Sequence, residues 1–293
     1  MLKRPSSGFT LVELIVVMVI IGIIAGVLTM FFGPAVQNYL ASGRRAALTD
    51  QADGAMRRMM RELRSAVPNS VRSLNTSLEF APSTMGGRYR TAPDIGWDMA
   101  HGPSNQSMPL DTNVAVTTFD VLTPMPTLPS VGDRVIIGNQ SADQLYGANG
   151  AATISAAARP PAATAALAPL RTLGTARLTL APAHQFPPGY DGGRFFVVSG
   201  SQQAVSFVCF NPGMQNGSGR GILFRVTGYS FNSVQLVPPI TTGAILARNV
   251  ESCAFDYLPG STMEGGYVEI SLTLNDSGES VSLTYGAHVA NVP

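Results

Sequence analysis

One carboxylate stands alone in an apolar setting. Glu13 lies in Phe9-Thr10-Leu11-Val12-Glu13-Leu14, and no charged residue follows it until Arg44. Placing a carboxylate within a membrane-spanning segment costs roughly 2.5–3.5 kcal/mol, and such residues usually have a partner. Lys3 and Arg4 precede the run, and the small residue Gly8 sits directly before it. Cleavage after Gly8 would free an α-amine at Phe9, four residues before Glu13. An amine and a carboxylate at that spacing can pair within one helix or between neighbouring helices. The other reading of Glu13 is an interfacial residue snorkelling towards lipid headgroups.

The second candidate is the pair Cys209 and Cys253, the two cysteines of the chain. An even count in a domain outside the cytoplasm points to one disulfide. Two unpaired buried thiols are the alternative. A bridge of this span would contribute on the order of 4 kcal/mol through loop closure.

No other group of residues argues for catalysis. His101, His184 and His288 are isolated. No Cys-x-x-Cys or His-x-x-His pair, nucleophile elbow or phosphate-binding loop occurs, so neither a metal nor another cofactor is expected. Asp111, Asp120 and Asp133 are the residues that could line a calcium site, and Asn275–Glu279 reads as a plain hairpin turn. A net charge of +1 gives no electrostatic case for nucleic acid. The chain reads as a non-enzyme.

The elements that must position these residues fall in order. Residues 1–8 form a basic leader that the positive-inside rule keeps in the cytoplasm, with everything after the span exported. Residues 9–36 form a membrane-spanning helix, since an apolar run of about 18 or more residues suffices. Gly22 and Gly26 form a small-residue pair along it, and Gly33-Pro34 is expected to kink or unwind it. Residues 37–67 continue as an amphipathic helix, with Met56, Met59 and Leu63 turned to a core and Arg44-Arg45 marking the outer membrane surface. Pro68-Asn69 ends it. Residues 75–293 form a β-rich head, with 82–109 and 147–169 as irregular insertions and Trp97 packed inside the first. Alternation in 267–274 and 280–286 predicts an antiparallel hairpin with Val268, Ile270, Leu272 and Leu274 inward. The fold class is α+β: a long N-terminal helix packed on an antiparallel sheet.

The stretch Gly8-Phe9-Thr10-Leu11-Val12-Glu13, with its basic leader and apolar continuation, resembles the processing signal of type IV pilins and type II secretion pseudopilins. The resemblance implies that a prepilin peptidase cuts between Gly8 and Phe9 and methylates Phe9, and that Glu13 guides packing in a filament. It implies other major and minor pilins, an inner-membrane assembly platform and membrane lipid as partners. It places a single-pass protein in the inner membrane with a periplasmic head, or in the extracellular pilus. The segments Phe195–Val198, Val205–Cys209, Gly221–Arg225 and Val250–Tyr257 resemble minor pilins of the mannose-sensitive haemagglutinin (MSHA) type, specifically the MshO group. More distantly they resemble J-type minor pseudopilins.

Overall fold

The computed structural model describes residues 8–147, 150–160, 173–188, 192–235, 240–260 and 265–290. Helix α1 (Leu11–Arg64) opens at Thr10, whose hydroxyl accepts the Glu13 N–H at 3.3 Å. An N-cap threonine satisfies one of the orphan donors of the first turn. The helix passes through Pro34 without a break. The expected unwinding does not occur. Proline removes one backbone hydrogen bond, and melting the flanking turns would orphan several more along an apolar stretch.

The helix ends at Arg64, three residues before the sequence boundary at Val67. Ser65 caps it through both its N–H and its hydroxyl to the Glu62 carbonyl. The next residues already belong to the head, where Ala66 bridges Pro82 and the Val67 N–H donates to the Ala81 carbonyl. Sheet pairing recruits the chain before Pro68 is reached.

The head contains, in chain order, β1 (Arg72–Leu74), β2 (Ser77–Phe80), β3 (Met85–Arg88), α2 (Ile95–His101), β4 (Val116–Val121), β5 (Arg134–Ile136), α3 (Ala142–Tyr146), β6 (Ala152–Ala158), β7 (Ala176–His184), β8 (Arg194–Val198) and β9 (Ala204–Phe210). Then follow β10 (Met214–Gln215), β11 (Ser218–Gly219), β12 (Gly221–Tyr229), β13 (Ala244–Leu258), β14 (Gly266–Asp276) and β15 (Glu279–Val289).

A first, antiparallel sheet runs β1-β2-β9-β12-β13-β14-β15, and β10 and β11 pair separately. The expected hairpin is β14–β15, closed by Ser277-Gly278. Both turn residues have positive φ, 53° and 83°, as a two-residue primed turn requires. Val268, Ile270, Leu272 and Leu274 point inward and are fully buried. They meet Leu48, Ala52, Met56, Met59 and Leu63 of α1, joined by Leu78, Phe80 and Phe207.

A second antiparallel sheet, ordered β3-β8-β5-β6-β7-β4, corrects the expectation of a single sheet with two irregular insertions. The segment 82–109 supplies β3 and α2, and 147–169 supplies β6, with residues 161–169 outside the described residues. The two ends of this sheet meet. Tyr89 bridges Val121, the Arg90 N–H donates to the Asp120 carbonyl, and the Leu122 N–H donates to that of Arg88. The sheet therefore curls into a nearly closed barrel around Phe119, Val121, Val135, Ile154, Leu178 and Phe195.

Strands β3 and β6 lacked a clear sequence signature because small residues dominate them. A Cβ on Gly86 would lie 2.8 Å from the Phe195 carbonyl oxygen, and one on Gly87 would lie 2.7 Å from Thr123. Close backbone approach, rather than β-branched packing, selects those glycines.

Cys209 and Cys253 are disulfide-bonded, joining β9 to β13 across a separation of 44 residues. Strand β12 lies between those two in the sheet order. Chain-entropy reasoning gives such a loop about 4 kcal/mol. Reduction is expected to lower the unfolding free energy by about that amount, measured by denaturant titration with and without reductant. Two thiols that label freely under non-reducing denaturation would overturn the bridge. Met59 has no solvent exposure. Met59→Ala is expected to cost about 2–5 kcal/mol in the same titration. A loss under about 0.5 kcal/mol, the level of an ordinary surface substitution, would show that α1 is not part of the head's core.

Candidate functional site

Helix α1 has two halves with different surroundings. From Leu11 to Leu40 its side chains are exposed, including Phe9 just ahead of it. Burial against the head begins at Leu48 rather than at Val36, where the amphipathic spacing starts. Among the described residues α1 is the one helix long and apolar enough to cross a membrane. A single N-terminal apolar helix of this kind is consistent with single-pass anchoring.

Glu13 sits in the first turn of α1. Its carboxylate shares that turn with the exposed N–H groups, where a helix dipole favours negative charge. Gly8 and Phe9 are exposed and precede the helix, leading into the extended Thr10 cap. The Gly8–Phe9 peptide is thus held outside the helix. Lys3 and Arg4 lie outside the described residues. Gly22 and Gly26 lie on the exposed half of the helix, and a Cβ at either would meet nothing within 4 Å.

The orientation of this helix is set by polar contacts that the sequence reading missed. Arg45 pairs with Glu279 at the start of β15. Asp53 accepts the Tyr285 hydroxyl at 2.5 Å and pairs with Arg57 at 2.6 Å. Glu62 receives Arg225 of β12 at 2.7 Å, with Arg58 at 3.1 Å. Asp53 and Glu62 are two and a half helical turns apart, so they lie on opposite sides of the buried seam. Hydrogen bonds from Tyr285 and Arg57 hold the Asp53 carboxyl below its ordinary value. Partly exposed ion pairs are each worth about 0–1 kcal/mol. Their role is to fix rotation of the helix about its axis, while the apolar seam supplies the adhesion. Arg45 therefore joins the helix to the head through Glu279. The signal available in the sequence was charge of both signs flanking an apolar seam.

The other sequence candidates are structural in placement. Asp120 is fully buried and accepts from Arg177 at 2.7 Å and from the Met108 N–H at 2.8 Å. Asp111 is bonded to Asn113, and Asp133 to the N–H groups of Ser130 and Gly200. Among the described residues no three acidic, histidine or cysteine side chains gather as a metal cluster. Trp97 is buried, donates its indole N–H to the Asn105 carbonyl at 2.6 Å and stacks on His101 at 3.7 Å.

A buried polar group in the first sheet was also missed. Glu79 lies within β2 and pairs with Arg72 at 2.6 Å. Burial outweighs that arginine and pushes the Glu79 carboxyl up. Arg72 in turn lies 3.7 Å over the Tyr146 ring and donates to the carbonyls of Asn232 and Ser233. It ties β1 to α3 and to the loop after β12.

Residues 3–29 match the family described as the prokaryotic N-terminal methylation motif. The match covers Lys3 to Thr29, which includes Gly8, Phe9, Glu13 and the first part of the exposed half of α1, and it stops before the head. No curated protein and no solved structure matches the chain. The methylation motif, on an apolar helix that continues into a disulfide-bonded antiparallel head, supports a protein of the type IV pilin or pseudopilin kind.

Proposed function

We propose that this chain is a minor pilin, a structural subunit that helps to initiate or cap a type IV pilus of the MSHA kind. The observation that carries the reading is the methylation motif at residues 3–29, borne on a helix whose exposed apolar half runs without interruption into the head's core. A prepilin peptidase would cut between Gly8 and Phe9 and methylate the new amine. Glu13, one turn further on, would take that amine as its partner on a neighbouring subunit. The basic leader supports a cytoplasmic N-terminus and a periplasmic head, and the Cys209–Cys253 bridge suits an oxidising compartment. Partners would be the peptidase, other pilins, the inner-membrane platform and lipid.

A length of 293 residues and a head with a second sheet support a minor rather than a major subunit. The segments resembling the MshO group lie on β8, β9, β12 and β13. Those strands would serve equally in a J-type pseudopilin of type II secretion.

Mass spectrometry of the protein from cells with and without prepilin peptidase tests processing. A chain that begins at methylated Phe9 is expected only when the peptidase is present. An intact Met1 in its presence would end the pilin reading. Glu13→Ala is expected to leave cleavage intact and to reduce filament number, counted by electron microscopy. Unchanged filaments would remove Glu13 from assembly.

A further inference from the structure

The two sheets meet at a seam, and the seam opens into a cleft. Strand β5 alternates, so Val135 faces the barrel interior while Ile136 packs in the cluster between the sheets with Tyr146, Val198 and Ala204. Arg134 shares the face of Ile136 and therefore points to the seam. Arg134, Tyr146, Gln203, Phe231, Asn232 and Ser233 line a cleft of about 500 Å³ there. Among the described residues, no acid is in its walls.

Arg134 is a half-buried cation that pairs with no acid among the described residues. Arg72 has Glu79, Arg177 has Asp120 and Arg225 has Glu62. Arg134 instead touches the Thr153 hydroxyl, and donates to the Ala151 carbonyl at 3.3 Å. Its Nε is buried with no acceptor. A guanidinium carries five N–H donors in a fixed fork, and these two contacts leave further donors of the fork without a protein acceptor. Burial, with nothing opposing it, pushes the group down from its ordinary value. A half-buried cation without a counter-charge is costly unless something compensates it.

The remaining walls are of a different chemistry. Phe231 meets the buried Tyr146 edge to face at 5.4 Å and is the half-exposed aromatic side of the cleft. Asn232 and Ser233 add an amide and a hydroxyl. Their backbone is held in place by Arg72, which donates to both carbonyls at 2.7 and 3.1 Å. Gln203 accepts the Phe231 N–H at 3.4 Å and so steadies the same loop. A bare anion would need the arginine alone. An aromatic wall beside fixed amides and hydroxyls is the lining that a polyhydroxylated ring calls for.

We propose that this cleft binds an acidic sugar residue, with Arg134 facing its carboxylate and the Phe231–Ser233 wall receiving the ring and its hydroxyls. The cleft lies at the junction of the sheets, away from the exposed half of α1, so binding and filament assembly are separable.

The test is calorimetric titration of the full-length protein in detergent. Sodium glucuronate is expected to bind saturably, and glucose, the same ring without the carboxylate, about tenfold or more weakly. Arg134→Gln should weaken glucuronate by about tenfold or more and Arg134→Lys by less, because lysine keeps the charge but loses the fork. Ser230→Trp, at an exposed position lining the cleft, should block binding without touching Arg134. It keeps the test decisive if Arg134→Gln lowers the melting temperature. Absence of glucuronate binding at 10 mM or so, a ceiling far weaker than useful recognition, would overturn the proposal. So would acetate or a peptide with a free C-terminal carboxylate binding as well as glucuronate, or undiminished binding in both Arg134→Gln and Ser230→Trp.

Discussion

Everything in this molecule depends on one helix being soluble in two media. Helix α1 has no charged side chain between Leu14 and Gly43, and from Leu48 onward it contributes a buried seam to the head. Apolar burial is non-directional, so a seam alone would let the helix roll. The Asp53–Tyr285 and Glu62–Arg225 contacts on opposite sides of the seam remove that freedom. Because the helix is unbroken through Pro34, the azimuth fixed at the head is transmitted to Glu13 and to Gly22 and Gly26. Which face the stem offers to a neighbour is thereby decided by contacts several turns away.

The first sheet follows from that requirement. A helix needs a flat apolar face to lie on, and β14 and β15 provide one by alternation, with β13 beside them. The disulfide joins β9 to β13. It ties the strands under the helix to the strand that leads, through the 199–203 turn, to the second sheet. The second sheet has no such obligation. It closes on its own core, and its coupling to the first includes a small apolar cluster, the Arg72–Tyr146 contact and the hydrogen bonds from Asn69 to the Asn139 carbonyl and from Asn139 to the Pro68 carbonyl.

How far this was legible in the sequence follows the same division. The stem, the seam residues Met56, Met59 and Leu63, and the β14–β15 hairpin are periodic, and periodicity survives without knowledge of tertiary contacts. The cysteines were legible as a pair because an even count in an exported domain has few other uses. The second sheet was legible only in part. Strand β3 is Met-Gly-Gly-Arg, with no β-branched or aromatic residue, and β6 is mostly alanine, with Thr153 and Ile154 its two β-branched residues. Strand β3 pairs with β8, far away in sequence, while β6 pairs with its chain neighbours β5 and β7. The latch residues were visible as charges, but their partners Glu279, Tyr285 and Arg225 come from the other end of the chain. Local pattern cannot supply such pairings.

The charge economy separates the two candidate sites by the physics of their environments. This chain has few charged residues, 13 % of the total, and the buried ones in the head stand mostly in matched pairs. Glu13 and Arg134 have no ion-pair partner among the described residues, and they differ in kind. Glu13 is exposed on an apolar stem, so its cost arises only when the stem is surrounded by lipid or by other helices. A partner there must arrive together with that environment, as a neighbouring helix end would. Arg134 carries its cost in the folded head itself, since burial is already present. A compensating group for it must be small and must enter from solvent through the cleft. An unpaired acid in a stem therefore points to assembly, whereas an unpaired base at a seam between rigid sheets points to a ligand.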